Sequence, residues 1–394
     1  MKLLGLFLLV VLVISAIGLP SMYIYYRNWG EASKGEFLFG VSFGLKTAEE
    51  AKLLIDKVKG YTNLFLVNSW DITINETALN EVCDYTVKAD LSFMVFFDFV
   101  SRVIYPWHQT WMDTAKERWG DKFLGIYLYD EPGGRQIDVG KDVEDKRVTN
   151  ASDYSDATEA FVNSLSSQNS TVDVKKRNIP MFTSDYALYW FDYLAGYDTV
   201  FVELGWNHST TQHIALGRGA ANIQGKDWGA IITWTYDKPP YLANGPKIFQ
   251  EMLTAYQAGA KYVIVFNSNF APFDPNPSDS SQIHSDPGEI LKEEHFLAME
   301  RFWTYIHTYP RDIFGRVDGQ VAFVLPKDYG WGMRKSDDNI WGLWPADEKA
   351  PLIWANINKL IAQYGLKLDI IYNDPMFNYK EKYSKVFLWN ATIN

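Results

Sequence analysis

Thr199-Val200-Phe201-Val202-Glu203, the segment from Thr210 to Ile223, and Trp228-Gly229-Ala230-Ile231-Ile232-Thr233-Trp234-Thr235 are the stretch on which the fold turns. The two outer runs are short, apolar and rich in β-branched and aromatic residues, the character of strands buried on both faces. The middle segment is long enough for a helix and carries apolar residues at helical spacing. A strand, a helix and a second strand in this order make a parallel βαβ unit, because the helix returns the chain to the same edge of the sheet.

Working outward, the alternation recurs from residue 37 to residue 307. Strands are expected at 37–45, 63–69, 92–99, 123–129, 180–184, 199–203, 228–235 and 262–267. Helices are expected at 47–59, 77–88, 109–119, 156–165, a short aromatic piece ending near Gly196, 210–223, 246–258 and 295–307. Thr47, with Glu49 and Glu50 behind it, is a good N-cap for the first. Eight strand–helix pairs predict a (β/α)8 TIM barrel over residues 36–310. An open doubly wound sheet is the alternative, but Gly40-Val41-Ser42-Phe43-Gly44 lies inside a strand pattern and opens no helix. Residues 318–394 then form a small α/β appendage, with strands at 320–326, 366–372 and 385–389 and a helix at 351–364. It is too small for a large core of its own and is expected to pack on the barrel.

The 394 residues carry a formal net charge of −11, without a Lys/Arg run, so nucleic acid is not an expected partner. A single cysteine, Cys83, excludes an intramolecular disulfide and a multi-thiolate metal site, and it reads as a buried small hydrophobe. Met1-Lys2 and the apolar run that follows make residues 1–27 a signal peptide or a signal anchor, the one membrane contact expected. Either form exports the chain to the cell surface or beyond. Sequons at Asn75, Asn150, Asn169, Asn207 and Asn390 fit an exported glycoprotein.

In such a barrel the chemistry lies at the carboxyl ends of the strands. The polar residues falling there are carboxylates, amides and rings, with almost no histidine. His208 alone lies near a strand end, no HExxH or G-x-S-x-G occurs, and neither a metal nor another cofactor is expected. Aromatic residues make up 16% of the chain, more rings than a core needs. Acids beside rings suit a carbohydrate: sugar faces pack on Trp and Tyr, and glycosidic cleavage needs one protonated carboxyl and one carboxylate. The sharpest signal is Tyr129-Asp130-Glu131-Pro132, where a strand delivers two acids and Pro132 biases Glu131 towards an extended backbone.

Here the chain resembles the TIM-barrel glycoside hydrolases that carry an acid/base glutamate at the end of strand four. The resemblance covers residues 37–310 and implies that Glu131 is the acid/base. It also implies a partner on strand seven, where this chain offers Asp237; Glu203 on strand six is the other candidate. Asp130 stands where the family has Asn, and Asn267-Ser268-Asn269 where it often has Trp. Asp98, Asp130, Tyr129, Trp70, Trp206, Trp234, Tyr236 and Asn267 are the candidate substrate contacts. The expected function is cleavage of an extracellular polysaccharide or glycan; the alternative is a carbohydrate-binding or cell-surface protein on a barrel that has lost catalysis. The Gly/Trp-rich segments 328–334 and 341–345 either close over the barrel mouth as sugar subsites or dock the appendage on the wall.

Overall fold

The computed structural model describes residues 37–97, 104–138, 146–236, 240–268 and 290–393. Eight parallel strands close in sequence order: β1 (Leu38–Phe43), β2 (Leu64–Val67), β3 (Ser92–Phe96), β4 (Phe123–Tyr127), β5 (Met181–Asp185), β6 (Thr199–Leu204), β7 (Asp227–Ile232) and β8 (Tyr262–Val265). The (β/α)8 barrel expected from the alternation is therefore the fold. Past the end of β8 the ring is laced by Gly44 N–H on the Asn267 carbonyl (2.9 Å) and by Asn267 N–H on Ser42 Oγ (3.0 Å). Thr47 caps the helix Ala48–Val58 in a full capping box with Glu50. Cys83 is buried.

The barrel interior is aromatic. The Phe201 ring lies 6.1 Å from Tyr127, 5.8 Å from Phe182 and 5.8 Å from Tyr262. Tyr127 is on β4 and Tyr262 on β8, neither adjacent to β6, so these rings meet across the lumen. Side chains alternate faces along a strand, so the residues two further on, Ser184 after Phe182 and Glu203 after Phe201, also point inward, one layer nearer the mouth.

Several boundaries differ from the sequence reading. β7 stops at Ile232, where the β6 ladder ends at Leu204; Thr235 and Tyr236 then donate to the Tyr241 carbonyl in a turn of their own. The helix expected at 109–119 begins at Trp107, two residues early. After β4 the chain adds the helices Pro132–Ile137 and Asn169–Lys176 around the expected one, here Tyr154–Ser166.

The appendage is a parallel three-stranded sheet, β10 (Leu368–Tyr372), β9 (Val321–Leu325) and β11 (Lys385–Leu388) in that spatial order, with the helix Ala350–Tyr364. It packs on the barrel helix Thr210–Gln224, which is buried along most of its length. There the Arg218 guanidinium meets the Asp369 carboxylate at 2.7 Å, fully buried. Trp331 and Trp341 are wholly buried, and the Trp341 ring sits 5.6 Å from Phe161 and 4.6 Å from Phe191 of the barrel helices. Of the two readings of the Gly/Trp segments, docking on the wall holds for these rings. Burying such large rings is worth more than exposing them. Among the described residues no helix is long and apolar enough to cross a membrane, and no His/Cys/Asp/Glu group could hold a metal ion. The expected signal segment 1–27 lies outside them.

Candidate active site

Three neighbouring strands build the site from the lumen upward. Glu203, one residue from the end of β6, receives the Ser184 hydroxyl on Oε1 (2.6 Å) and the Trp206 indole N–H on Oε2 (3.2 Å). Tyr127 OH lies 2.7 Å from Ser184 Oγ and 2.5 Å from Asp130 Oδ1. A continuous hydrogen-bonded path thus runs from Asp130 through Tyr127 and Ser184 to Glu203. Its floor is the ring layer of Phe96, Tyr127 and Phe201.

Glu131 sits just outside this path and keeps 22% of its side chain exposed, so a ligand can reach it. Its backbone is left-handed, φ 52° and ψ 45°, rather than the extended form that the following proline favours. The reason lies in the neighbouring strand. Glu131 N–H donates to the Ser184 carbonyl (3.1 Å), and Gly133 and Gly134 N–H donate to Asp185 Oδ2 and Oδ1 (2.6 and 2.7 Å). These bonds turn the chain sharply as it leaves β4. The turn also needs glycine: a Cβ on Gly134 would lie 2.2 Å from the Tyr186 ring, and one on Gly133 2.6 Å from Leu188 Cβ.

The electrostatics are one-sided. Burial, then the charges of Glu203 and Asp130, push the Glu131 carboxyl well above its ordinary value, with Arg135 the opposing charge. Arg135 stands 3.9 Å from both Glu131 and Asp130. Glu203 is raised to about 8 by burial and by Asp130, against the lowering effect of its Ser184 and Trp206 bonds. Carboxylates gathered in a partly dry site retain a proton at neutral pH, which is the requirement for a carboxylic proton donor. Because the groups are coupled, the proton belongs to the cluster and is released in shared steps.

The remaining candidates divide. Trp206 and Trp234 meet edge to face at 6.2 Å, with Trp206 N–H donating to the Trp234 carbonyl (2.7 Å), so the two rings stand beside Glu203. Tyr129 points away from the lumen: its hydroxyl bonds Ser170 and its ring lies under Arg147 at 4.6 Å. Trp70 is 38% exposed in a short helix after β2, and Tyr236 is 46% exposed after β7. Asn267 is fully buried where β8 ends, with Oδ1 accepting from Ile290 N–H (3.3 Å). Asp98 and Asp237 lie outside the described residues. His208 is stacked 4.9 Å from His213 and pushed down to about 4 by burial and Arg334, which keeps it neutral.

The sequence reading places Ser184 and Asp185 at the end of strand five without giving either a role, and it misses Tyr127. Counting by twos from Glu203 and Ser184 down the strands would have found the inward face. Asp185 is marked as a strand-end acid, but its role is hidden in the sequence because its partners Gly133 and Gly134 lie about fifty residues earlier in the chain.

No family model matches the chain, and no curated protein matches it. Solved structures do. GH5_18 from Streptomyces cattleya, solved in complex with GlcNAc, superposes with a TM-score of 0.56 over 90% of this chain and 98% of its own, at 11% identity. The exo-beta-1,4-mannosidase from Opitutaceae bacterium strain TAV5 gives 0.51 over 89% and 72%, at 10% identity. The chain thus shares its fold with TIM-barrel glycoside hydrolases.

Proposed function

We propose that the protein is an exported glycoside hydrolase that cleaves a polysaccharide or glycan by carboxylate chemistry. The observation that carries this reading is the cluster of Glu131, Glu203 and Asp130, in which one accessible carboxyl is kept protonated by its neighbours. Glu131 is the proton donor. It gives its proton to the glycosidic oxygen as the C–O bond breaks, and the leaving sugar departs as a neutral alcohol. Glu203 is assigned the second role because it acts on Glu131 more strongly than any other acid and its Ser184 and Trp206 bonds favour the ionised form. The coupled pair shares its protons, and the reactive state is the one with Glu131 protonated and Glu203 ionised. Glu203 either attacks the anomeric carbon or takes a proton from the attacking water; in both cases Glu131, now ionised, is positioned to accept a proton back. Trp206, part-exposed beside Glu203, offers a ring face for the sugar, and the buried Trp234 backs it. Asp237, which follows β7 in the sequence, is the rival for the second role.

Export rests on residues 1–27, as signal peptide or anchor. The five sequon asparagines, Asn75, Asn150, Asn169, Asn207 and Asn390, are all exposed, which supports glycosylation. The fold neighbours guide the choice of substrates: β-mannosides and N-acetylglucosaminides head the panel, followed by β-glucosides and insoluble polysaccharides. Turnover that disappears in Glu131→Gln while sugar binding persists supports the proposal. Wild-type protein that binds glycans but cleaves none is instead a carbohydrate-binding barrel. Undiminished activity in Glu131→Gln removes the assignment outright.

A further inference from the structure

Behind the turn that presents Glu131 lies a second pair of acids that the proposed reaction does not touch. Asp185 ends β5 on the opposite face from Ser184, and its buried carboxylate collects four backbone N–H groups: Gly133 (2.6 Å), Gly134 (2.7 Å), Tyr186 (2.7 Å) and Ala187 (3.0 Å). Two of these belong to the segment after β4 and two to the segment after β5. The carboxylate therefore ties two otherwise separate loops into one block. Asp192, buried in the helix Tyr189–Ala195, has no hydrogen-bond donor on either of its oxygens, and burial together with the Asp185 charge pushes its carboxyl well above its ordinary value. Four N–H groups favour the ionised form at Asp185 and none does at Asp192, so of the two acids Asp192 is the one that keeps its proton.

We infer that the Asp185–Asp192 pair is a positioning device for Glu131, holding the turn at residues 131–134, left-handed at Glu131, so that the Glu131 carboxyl faces Glu203. The inference rests on the functional reading for its purpose, but the geometry stands without it. The groups acting on Glu131 are Glu203, Asp130, Arg135 and Asp185; those acting on Asp185 are Asp192 and the four N–H groups. A left-handed backbone at a non-glycine residue costs free energy and persists only where its surroundings over-determine it. Here the Gly133 and Gly134 bonds to Asp185, with Glu131 N–H on the Ser184 carbonyl, supply that constraint, and the Tyr186 and Ala187 bonds hold the Asp185 carboxylate in place. An asparagine at 185 presents one acceptor oxygen and turns an N–H toward the remaining donors.

The test follows the Glu131 carboxyl itself, by infrared difference titration of the full-length protein, with Glu131→Gln identifying its band. Asp185→Asn removes a neighbouring charge and loosens the turn, so the Glu131 midpoint falls by about one pH unit or more. Asp192→Asn, which keeps a donor to Asp185 but no titrating proton, moves it less. Gly133→Ala, whose Cβ would lie 2.9 Å from Asp185 Oδ2, disturbs the turn with both acids intact and also lowers the midpoint. It serves in place of Asp185→Asn should that variant fail to fold. On a cleaved substrate, Asp185→Asn loses up to about 100-fold in kcat with KM little changed, the pattern of misplacement rather than lost binding. An unmoved Glu131 band in every folded variant overturns the inference. A shifted band in a protein that cleaves no glycan upholds the positioning and sinks only the hydrolase reading.

Discussion

Two regions of this molecule bury charge, and they do so in opposite ways. At the seam between barrel and appendage, the Arg218 side chain is 2% exposed and Asp369 0%. Every polar atom there is answered: Arg218 reaches the carbonyls of Val317, Leu366 and Leu368, and Asp369 also accepts from Asn222 and Tyr383. Close approach is built in, since a Cβ on Gly219 would lie 2.7 Å from the Ile370 carbonyl. At the mouth, Glu131, Glu203 and Asp130 gather, and among the described residues Arg135 is their counter-charge, 3.9 Å from Glu131 and Asp130. The seam spends its charges on holding two layers together. The mouth holds like charges apart from water, an arrangement that costs stability and is tolerated where chemistry needs a perturbed acid.

The sharpest way to break this contrast is kinetic. Glu131→Gln should lower kcat/KM by about 10²–10⁴-fold on a glycan, the usual worth of a general acid, and by much less on an aryl glycoside whose leaving group needs no proton. An equal loss on both substrates would remove Glu131 from the donor role. Next in size is the seam. Arg218→Met strands a buried carboxylate and should cost about 3–5 kcal/mol in denaturant unfolding, and adding Asp369→Leu should restore part of it. A double variant as unstable as the single one would show that the pair acts through shape rather than charge.

The mouth predicts the reverse sign. Glu203→Gln should abolish cleavage yet raise stability at neutral pH by about 0.5–2 kcal/mol, because it removes a buried acid whose ionisation the fold opposes. The same residue sets a pH dependence. Its folded pKa, about 8, exceeds the unfolded carboxyl value, so the folded state holds a proton that the unfolded state has released. Stability is then fully present below about pH 4.3 and declines as pH rises towards the folded value, by no more than about 1.4 kcal/mol per unit for one proton. In Glu203→Gln this slope should flatten; an unchanged slope between pH 5 and 8 would place the proton elsewhere. The smallest effect belongs to Trp206→Phe, which removes one N–H from Glu203. A net hydrogen bond of about 0.5–1.5 kcal/mol corresponds to an upward shift in the Glu203 titration of about one pH unit at most.

Much of this was legible beforehand, for physical reasons that differ by residue. The barrel strands announced themselves because a strand covered on both faces must be apolar almost throughout, a local property. Glu131 and Glu203 were found because they end such strands. Tyr129 misled because a residue just past β4 can swing to either side, and its hydroxyl found Ser170 in the helix layer. The turn at Glu131 was read as extended because proline constrains its predecessor locally, whereas Asp185, on another strand, decides the matter through Gly133 and Gly134. The buried Trp331 and Trp341 could be placed only once the appendage had a wall to rest on.

By itself, then, the sequence determined the eightfold alternation, the small α/β layer after it and the acids carried to the strand ends. These follow from hydrophobic period and segment length, which each stretch of chain expresses without reference to the rest. Only the tertiary structure decided which acids act on one another, which way the Glu131 backbone turns, and that the Trp-rich segments are mortar rather than platform. Charge–charge coupling and desolvation depend on distances between residues far apart in the chain, and those distances exist only after the barrel has closed.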